Sequence, residues 1–348
     1  MNFSHVLFVG PQNEKGGIGA VLNTYKESMD GFRILSTYPT DGKINIYRFF
    51  CSQYLSLFKL LITDDDIEIL HIHSASRGSF VRKSLVLLMA KAFGKKVVMH
   101  IHGGMFREYY QSSQIKTWSV RYILRMSDRV ICLTDEWRQS FQAEMQLNNL
   151  EVVLNPVKKY PKKINSNQHE WISLLFMGTI TENKGIFELL DYLQQNPFFL
   201  QGKIKLFICG EGDGEKLTQC MSQGNVRENI VYTGWIDGDR KYQMLQSADI
   251  LILPSHYEGL PMVILEAMSA GKPIISTRVG GIPAVVKPSR NGWLIDPKRI
   301  EQLDSIFKEI FNTPGIIGRF GANAMLDAEA FHVTGIVSQL SKIYNELL

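Results

Sequence analysis

The sequence predicts an α/β protein made of two doubly wound, Rossmann-like domains. Short apolar runs alternate with segments of helical periodicity almost throughout the chain. The runs are dense in Val, Ile and Leu at consecutive positions, as expected for strands of a parallel sheet that is buried on both faces. The alternation of apolar runs and helical segments is interrupted once, near the middle of the chain, and then resumes. A length of 348 residues suits two domains of about 100–200 residues each.

The first half reads as repeated β–α–β units, because a helical stretch follows each apolar run. The predicted strands are HVLFVG (5–10), RILSTY (33–38), EILHIHS (68–74), KVVMHIHG (96–103), RVICLT (129–134) and EVVLN (151–155).

A polar, basic segment with two prolines, PVKKYPKKINSNQHE (156–170), has the composition of a linker. We therefore predict an N-terminal domain over 1–160 and a C-terminal domain over 161–330. Residues 331–348 should form a helix that crosses back to the N-terminal domain. The predicted strands of the second half are WISLLFMG (171–178), KIKLFICG (203–210), NIVYTG (229–234), DILILPS (249–255) and KPIISTR (272–278).

The composition narrows the class of protein. Hydrophobic residues make up 45% of the chain and charged residues 21%, which is typical of soluble globular proteins. The net charge of +4 does not indicate a nucleic-acid binder, for which a concentrated basic stripe is expected. Four cysteines without CxxC spacing indicate reduced thiols.

The same composition bears on localisation. The N-terminus lacks the basic region of a signal peptide, so we expect a cytoplasmic protein. The segment 46–62 is the most apolar stretch, but Arg48, Gln53 and Lys59 interrupt it. A packed amphipathic helix is the favoured interpretation, and a membrane-surface helix is the alternative.

A glycine-rich loop follows the first strand. Gly16, Gly17 and Gly19 stand just before a helix, where bare backbone N–H groups bind anions well. Leu22 replaces the third glycine of a dinucleotide fingerprint, so the loop does not indicate an NAD enzyme. A tight turn without a ligand is the alternative.

Two HxH pairs end neighbouring strands of the first half. Strand alternation places His71 with His73, and His100 with His102, on one face. No acidic or cysteine ligand accompanies them at a convincing spacing, so we predict no metal. His102 precedes two glycines at a strand's carboxyl end, which should expose it in a cleft. The DxD within Asp64–Asp66 precedes a strand, and a solvated turn is favoured there over an ion site.

The segment SHYEGLPMVILEAMSAGKP (255–273) carries two carboxylates eight positions apart. Pro261 favours a helix start and Gly271 a helix stop, so Glu258 should lie in a loop and Glu266 inside the helix. Eight helical positions span about 12 Å, whereas glycosidase carboxylate pairs lie about 5–9.5 Å apart. A clamp on one long ligand, with an anion at the helix N-terminus between two polar ends, fits better than an acid/base pair.

A second phosphate signal follows the first strand of the C-terminal domain, in GTITENKG (178–185). Lys184 lies near a helix start, where a cation and N–H donors together suit a phosphate. An ordinary surface lysine is the alternative.

These motifs together resemble the retaining glycosyltransferases of family GT4, which have the two-Rossmann GT-B fold. The specific part is E-G-L-P-M-V-I-L-E-A-M-S-A-G-K-P (258–273) followed by V-G-G-I-P (279–283), similar to the family's E-x7-E region. Further matches in the family's order are G-G-I-G (16–19), V-M-H-I-H-G-G (98–104), L-N-P-V (154–157), K-G (184–185), G-E-G (210–212) and T-G-W-I (233–236).

The resemblance implies roles for individual residues. Glu258 would contact sugar hydroxyls, the N–H groups of Gly259 to Met262 would hold the diphosphate, and Glu266 would bind the ribose. Lys184 would neutralise the diphosphate and His102 would lie near the reacting sugar. The implied catalytic set is His102, Glu258 and Lys184. The implied donor-binding set is Gly17, Gly19, Thr179, Lys184, Gly210, Trp235, Ile236, Glu258, Gly259, Leu260, Pro261, Met262 and Glu266.

Two positions depart from the family pattern. Thr179 stands where the family usually has an arginine that pairs with the diphosphate, and Ala284 stands where an acid is frequent. Fewer cations weaken stabilisation of the leaving group, which is a large effect in this chemistry. Lys184, the helix dipole, Arg77 or Arg278 are candidates to compensate.

We therefore predict a retaining glycosyltransferase that needs no metal or other cofactor and uses a nucleoside diphosphate sugar as donor. Domain closure would exclude water. The resemblance to bacterial polysaccharide enzymes implies a lipid-linked saccharide acceptor at the inner face of the plasma membrane, and no nucleic-acid partner. Several basic residues are candidates for weak membrane contact, and solvated surface charge is the equally favoured alternative: Arg121, Arg125, Lys158, Lys159, Lys162 and Lys163.

Two alternatives stay open. A catalytically silent nucleotide-sugar-binding protein would explain Thr179. A nucleotide-dependent oxidoreductase would need the complete glycine fingerprint that the chain lacks.

Overall fold

The computed structural model describes residues 2–12, 16–39, 44–161, 170–222 and 227–348. The chain divides into two compact units. The first unit comprises Met1–Lys158 with Phe331–Leu348, and the second comprises Lys159–Ala330. Lys162 and Lys163, named above for membrane contact, lie outside the described residues.

The first unit is built on a six-stranded parallel sheet in the order β2-β1-β3-β4-β5-β6. The reversal of strand order on either side of β1 makes the sheet doubly wound, as predicted. Its strands are β1 (Val6–Gly10), β2 (Arg33–Ser36), β3 (Ile69–Ser74), β4 (Lys96–Ile101), β5 (Arg129–Cys132) and β6 (Leu150–Val152).

Helices cover both faces of this sheet. Leu57, Val86 and Val120 belong to a core on one face, which α2 to α6 cover. Tyr25 and Tyr344 lie on the opposite face, which α1 and α15 cover. The helices of this unit are α1 (Gly17–Lys26), α2 (Ile46–Thr63), α3 (Gly78–Ala92), α4 (Phe106–Gln111), α5 (Gln114–Met126), α6 (Asp135–Met145) and α15 (Val333–Asn345).

The second unit holds another six-stranded parallel sheet, in the order β12-β11-β10-β7-β8-β9. The sequence predicts five of these strands and misses β12. That strand has four residues and begins with glycine, so its pattern is too short to separate from a loop. The strands are β7 (Ile172–Met177), β8 (Ile204–Cys209), β9 (Ile230–Gly234), β10 (Ile250–Leu253), β11 (Ile274–Thr277) and β12 (Gly292–Ile295). The predicted α/β class with two doubly wound parallel sheets is confirmed.

Eight helices of the second unit are numbered between α6 and α15. They are α7 (Ile186–Leu193), α8 (Pro197–Leu200), α9 (Gly214–Ser222), α10 (Gly238–Ser247), α11 (Met262–Ser269), α12 (Ile282–Val285), α13 (Leu303–Asn312) and α14 (Ile316–Asp327). Across the described ranges, none of the helices combines the length and the apolar character needed to cross a bilayer.

The last residues of the chain belong to the first unit. The N–H of Val333 donates to the carbonyl of Val157 at 2.9 Å, and the N–H of Val157 donates to the carbonyl of Phe331 at 2.9 Å. Helix α15 then buries Ile336, Leu340 and Tyr344. An amphipathic helix with one buried stripe is stabilised mainly by such packing.

Candidate functional site

The candidate site of the second unit lies at the carboxyl edge of its sheet, where loops leave parallel strands and ligands bind in doubly wound folds. Backbone hydrogen bonds hold adjacent loops together. The N–H of Gly178 donates to Cys209 at 3.0 Å, and the N–H of Gly210 donates to Gly234 at 2.8 Å. The loops after β7, β8 and β9 therefore lie side by side, which brings Thr179 and Gly210 to one edge.

Helix α11 begins at this edge. Pro261 is its N-cap in an extended conformation, and no side chain caps the helix start. Glu258 lies in the preceding loop and Glu266 lies in the helix, as the spacing of Pro261 and Gly271 predicts. Backbone N–H groups at an uncapped helix start are the usual partners of a phosphate.

Glu258 is paired with a lysine from the neighbouring loop. The Nζ of Lys184 lies 2.5 Å from Oε1 of Glu258, and the Glu258 side chain is 10% exposed. A short 3-10 turn, Glu182–Lys184, positions this lysine. The carbonyl of Asn183 accepts from the N–H of His256 at 2.8 Å. The turn after β7 and the loop after β10 are thus tied together by backbone as well as by charge.

Glu266 is also paired with a lysine, which the sequence reasoning missed. The Nζ of Lys241, on α10, lies 2.6 Å from each carboxylate oxygen of Glu266. Glu266 is buried, with 7% of its surface exposed. An unpaired carboxylate is expensive to bury, and a cation within contact distance offsets that cost. Lys241 follows the T-G-W-I turn by five positions, so the only available signal was its place after a strand's carboxyl end.

The V-G-G-I-P segment (279–283) packs against the loop that contains Glu258. Gly280 has φ of 54°, and a Cβ atom there would overlap the carbonyl oxygen of Glu258. The N–H of Gly281 donates to the carbonyl of Gly259 at 2.5 Å. Only glycine fits at position 280, because the conformation and the space both exclude a side chain.

The remaining predicted donor residues of the second unit differ in exposure. Thr179 is exposed, Trp235 is half-buried, and Ile236 is buried. Leu260, in the loop before α11, and Met262, the first residue of α11, are both buried. Arg278, named as a compensating cation, lies 3.5 Å from the carboxylate of Asp296. Lys184 and Lys241 are therefore the cations that the structure places against the two clamp carboxylates.

In the first unit, the glycine-rich loop leads into α1. Gly16 is the extended N-cap of this helix, and no side chain caps it. Gly17 is exposed and Gly19 is buried. Residues 13–15 of the loop lie outside the described residues. The other compensating candidate, Arg77, also belongs to this unit, where it is the N-cap of α3.

The four histidines of the HxH pairs form a buried stack on the α1 and α15 side of the first sheet. Strand register sets His73 opposite His100. The Nδ1 of His73 lies 2.8 Å from the Nε2 of His102, and the Nε2 of His71 lies 3.2 Å from the Nδ1 of His100. The hydroxyl of Tyr344 lies 2.5 Å from the Nδ1 of His71.

Burial keeps these histidines neutral. It lowers the pKa of His71 and of His102 to about 3. Burial also lowers the pKa values of His73 and His100 well below the usual value, and the neighbouring imidazoles lower them further. A buried imidazolium without a counter-charge is unfavourable, which is the physical cause in each case.

The predicted exposure of His102 is wrong. Its ring is 9% exposed, with one nitrogen against His73 and the Asn155 side chain as a further hydrogen-bond partner. The position at a strand end indicated exposure, but the neighbouring imidazoles, Asn155 and the covered sheet face enclose the ring.

A metal ion has one geometric candidate among the described residues. Ligand nitrogens of His71, His73 and His100 lie within 4.8 Å of one another, and all three side chains are buried. The group contains no carboxylate or thiolate, so a divalent cation there would have no anionic ligand. The expectation that the protein needs no metal stays a prediction.

The DxD motif lies at the end of α2. Asp64 is the C-cap residue of that helix and pairs with Arg33. That hydrogen bond is the main reason why the pKa of Asp64 lies below its usual value. Asp65 and Asp66 are exposed, so the segment is the solvated turn that the sequence favours.

Two family models match the chain, one after the other. Residues 26–159 match the model described as Glycosyltransferase Family 4, and residues 157–325 match the model described as Glycosyl transferases group 1. Among curated proteins, a UDP-Gal:alpha-D-GlcNAc-diphosphoundecaprenol alpha-1,3-galactosyltransferase of Escherichia coli is 26% identical over 270 residues, covering 71% of this chain and 67% of the relative.

Solved structures share the fold over nearly the whole chain. Sucrose-phosphate synthase from Thermosynechococcus elongatus superposes with a TM-score of 0.80 at 16% identity and covers 98% of both chains. HepE of Anabaena, in complex with UDP, superposes with a TM-score of 0.76 at 17% identity, covering 99% of this chain and 100% of that one. At such identities, the likeness establishes a common fold.

Proposed function

The chain belongs to the glycosyltransferases of family 4 with the GT-B fold, and from this premise we propose that it is a retaining enzyme acting on a lipid-linked saccharide. Glycosyl transfer from a nucleotide sugar is the activity of the family. The observation that carries the assignment is the pair of lysine-bound carboxylates, Glu258 and Glu266, on either side of an uncapped helix start.

The donor would lie along this edge. The N–H groups of Gly259 to Met262 would bind the diphosphate at the start of α11. Glu258 would accept hydrogen bonds from sugar hydroxyls and Glu266 from the ribose, because carboxylates form strong charge-assisted hydrogen bonds with hydroxyl donors. Trp235 and Ile236 would border the base.

Lys184 would lie between the sugar and the diphosphate of the donor. Its Nζ contacts the carboxylate of Glu258, and the diphosphate would offer it a second anion. A cation that stabilises charge on the departing diphosphate lowers the barrier to transfer. We assign this role to Lys184 because Thr179 stands where the family pattern has an arginine.

The transfer step would proceed on one face of the sugar. The bond between the anomeric carbon and the diphosphate oxygen breaks, and a bond from the acceptor oxygen to the same carbon forms. The acceptor proton passes to the departing diphosphate. His102 is a poor base, since burial lowers its pKa to about 3, so we assign it a positioning role beside Gly103 and Gly104.

The acceptor proposal draws on the relative whose printed name includes a diphosphoundecaprenol-linked sugar. An acceptor of that kind would place the enzyme at the cytoplasmic face of a membrane, in the synthesis of a cell-surface polysaccharide. A catalytically silent nucleotide-sugar-binding protein is the second candidate, favoured by Thr179 alone.

A panel of nucleoside diphosphate sugars in a thermal-shift assay tests the donor. A ligand that binds only the folded state raises the melting temperature. We then expect Glu266→Ala to weaken nucleotide binding about tenfold to a hundredfold, the loss of a charged hydrogen bond being about 1.5–3 kcal/mol. Glu258→Ala should reduce transfer more than it reduces nucleotide binding.

Glu301→Ala is the matched control, because Glu301 is an exposed carboxylate of the same unit that pairs with Arg299. Equal turnover of wild type, Glu258→Ala and Glu266→Ala would contradict the assignment. Slow hydrolysis of the donor by the wild type, lost in Glu258→Ala, would exclude the silent binding protein.

A further inference from the structure

Three helices on one face of the first sheet present apolar side chains to solvent. Helices α2, α3 and α5 each bury one stripe in the same core, through Leu57, Val86 and Val120 respectively. Their outer surfaces expose most of the large hydrophobic side chains found exposed in the described part of this unit. We name this surface the cationic apolar face. Its apolar members are Tyr47, Leu55, Phe58, Ile62, Val81, Leu85, Leu88, Ile115, Trp118 and Tyr122.

Helix α2 has two apolar stripes rather than one. Phe50, Leu57 and Leu61 are buried. Leu55 and Phe58, on the outer side, are 68% and 46% exposed. An amphipathic helix of a soluble protein normally has polar residues on the side opposite its core stripe. A second apolar stripe therefore indicates a second apolar environment.

Helix α3 continues the outer stripe of α2. Val81, Leu85 and Leu88 follow one another at helical spacing and are all exposed. The hydroxyl of Tyr54 on α2 donates to the carbonyl of Leu85 at 3.3 Å, so the two helices lie next to each other. The ring centroids of Phe58 and Phe93, the C-cap of α3, are 5.6 Å apart.

Helix α5 adds aromatic side chains to the same side of the sheet. Ile115 is 79% exposed and Trp118 is 66% exposed. The ring of Trp118 stacks on that of Tyr122, with centroids 5.6 Å apart. Trp and Tyr combine an apolar ring with a polar group, and they concentrate where hydrocarbon meets water.

The charged residues of α2, α3 and α5 all have one sign. None of the residues of α2, α3 and α5 is acidic. Their cations are Arg48, Lys59, Arg82, Lys83, Lys91, Lys116, Arg121 and Arg125. Lys83 is buried, whereas Arg48, Lys59, Lys116 and Arg125 are exposed.

The positive charge of the cationic apolar face indicates which partner would cover it. A second copy of the chain would bring two cationic surfaces together, which like-charge repulsion disfavours. Anionic headgroups attract lysine and arginine, with about 1 kcal/mol per residue near the surface, and the boundary below them takes up Leu, Phe and Trp side chains. We propose that the cationic apolar face binds the surface of an anionic lipid bilayer. This inference does not depend on the transferase activity.

Sedimentation of the full-length protein with lipid vesicles tests the proposal. We expect binding to vesicles of an equal mixture of phosphatidylcholine and phosphatidylglycerol, and weaker binding to phosphatidylcholine alone. Added salt should reduce the binding through screening. The double variant Leu55→Ser/Phe58→Ser should lower the vesicle partition constant about tenfold or more. Arg48→Glu/Lys59→Glu should lower it at least as far.

Leu326→Ser is the matched control, because Leu326 is 59% exposed in the second unit and outside the face. Its vesicle binding should equal that of the wild type. The proposal is overturned if the wild type does not bind anionic vesicles, or if the two double variants bind them as well as the control does. It is also overturned if the wild type forms a dimer through this face and the double variants abolish that dimer. Donor-induced thermal shifts should be the same in all these proteins, so failure here is distinguishable from failure of the proposed function.

Discussion

At the scale of residues, the neighbours of each buried titratable side chain decide how its charge is accommodated. The two clamp carboxylates are each matched by one lysine, Lys184 at 2.5 Å and Lys241 at 2.6 Å. Among the described residues, His71, His73, His100 and His102 hydrogen-bond to one another, to Tyr344 and to Asn155 rather than to a carboxylate, and they stay neutral instead. A titratable group that is buried away from water is thus either paired with an opposite charge or kept neutral.

The neutral histidines predict a pH dependence of stability. Their folded pKa values lie far below the ordinary value of 6.5, at about 3 for His71 and His102. Below about pH 6.5, the unfolded chain binds protons that the folded chain does not. The free energy of unfolding should therefore fall as the pH is lowered through this window, by about 1.4 kcal/mol per pH unit for each histidine. Urea unfolding between about pH 7 and about pH 5 measures the slope.

One substitution isolates this contribution. His100→Leu removes one buried imidazole, so the slope should decrease by about one proton. His5→Gln, which changes a partly exposed histidine outside the stack, is the matched control. An unchanged slope in His100→Leu would show that His100 is not held neutral by the fold.

At the scale of elements, the candidate donor site is a set of loops rather than a single motif. The loop after β10 contains Glu258, the turn after β7 supplies Lys184, and the loop after β11 contacts the Glu258 loop through its backbone. The hydrogen bond from Gly281 to Gly259 and the close approach of Gly280 to Glu258 make this last contact specific.

Gly280→Ala should therefore disturb the donor site. The new Cβ would overlap the carbonyl of Glu258, and φ of 54° is unfavourable for alanine. We expect a loss of stability of about 1–3 kcal/mol and weaker donor binding in the same thermal-shift assay. Gly318→Ala is the control: Gly318 lies inside α14, has no atom near its virtual Cβ, and should gain up to about 1 kcal/mol. Donor binding as strong in Gly280→Ala as in Gly318→Ala would contradict this account of the loop.

At the scale of the whole molecule, the chain returns to its first unit at the end. Tyr344 on α15 is buried, contacts His71 through its hydroxyl, and packs its ring on Phe3 with centroids 6.1 Å apart. The final helix thus closes one face of the first sheet, while residues 159–330 form the second unit alone.

Tyr344→Ala should weaken the first unit selectively. Removing a fully buried aromatic side chain costs about 3–5 kcal/mol, and the Nδ1 of His71 would lose its partner. Hydrogen exchange should accelerate in the first unit, with much smaller changes in the second. Leu348→Ala, at an exposed position of the same segment, serves as the control. Equal loss of protection in both units would mean that they unfold as one body.

Much of this architecture follows from local sequence. Runs of Val, Ile and Leu predict eleven of the twelve strands, because a strand buried on both faces needs apolar side chains at consecutive positions. Pro261 and Gly271 bound α11 because one lacks an N–H and the other accepts a left-handed conformation. The sequence therefore predicts that Glu258 lies in a loop and Glu266 in a helix.

Pairing and burial depend instead on contacts between distant segments. Lys241 meets Glu266 across 25 positions, and His102 is enclosed by His73 and Asn155. The outer stripe of α2 is left exposed by the fold although it is apolar. Strand and helix periodicity state which side chains share a face, but not whether that face will be covered. Coverage is decided by the tertiary packing, because only there do hydrophobic burial and the cost of desolvating charge act on the same group.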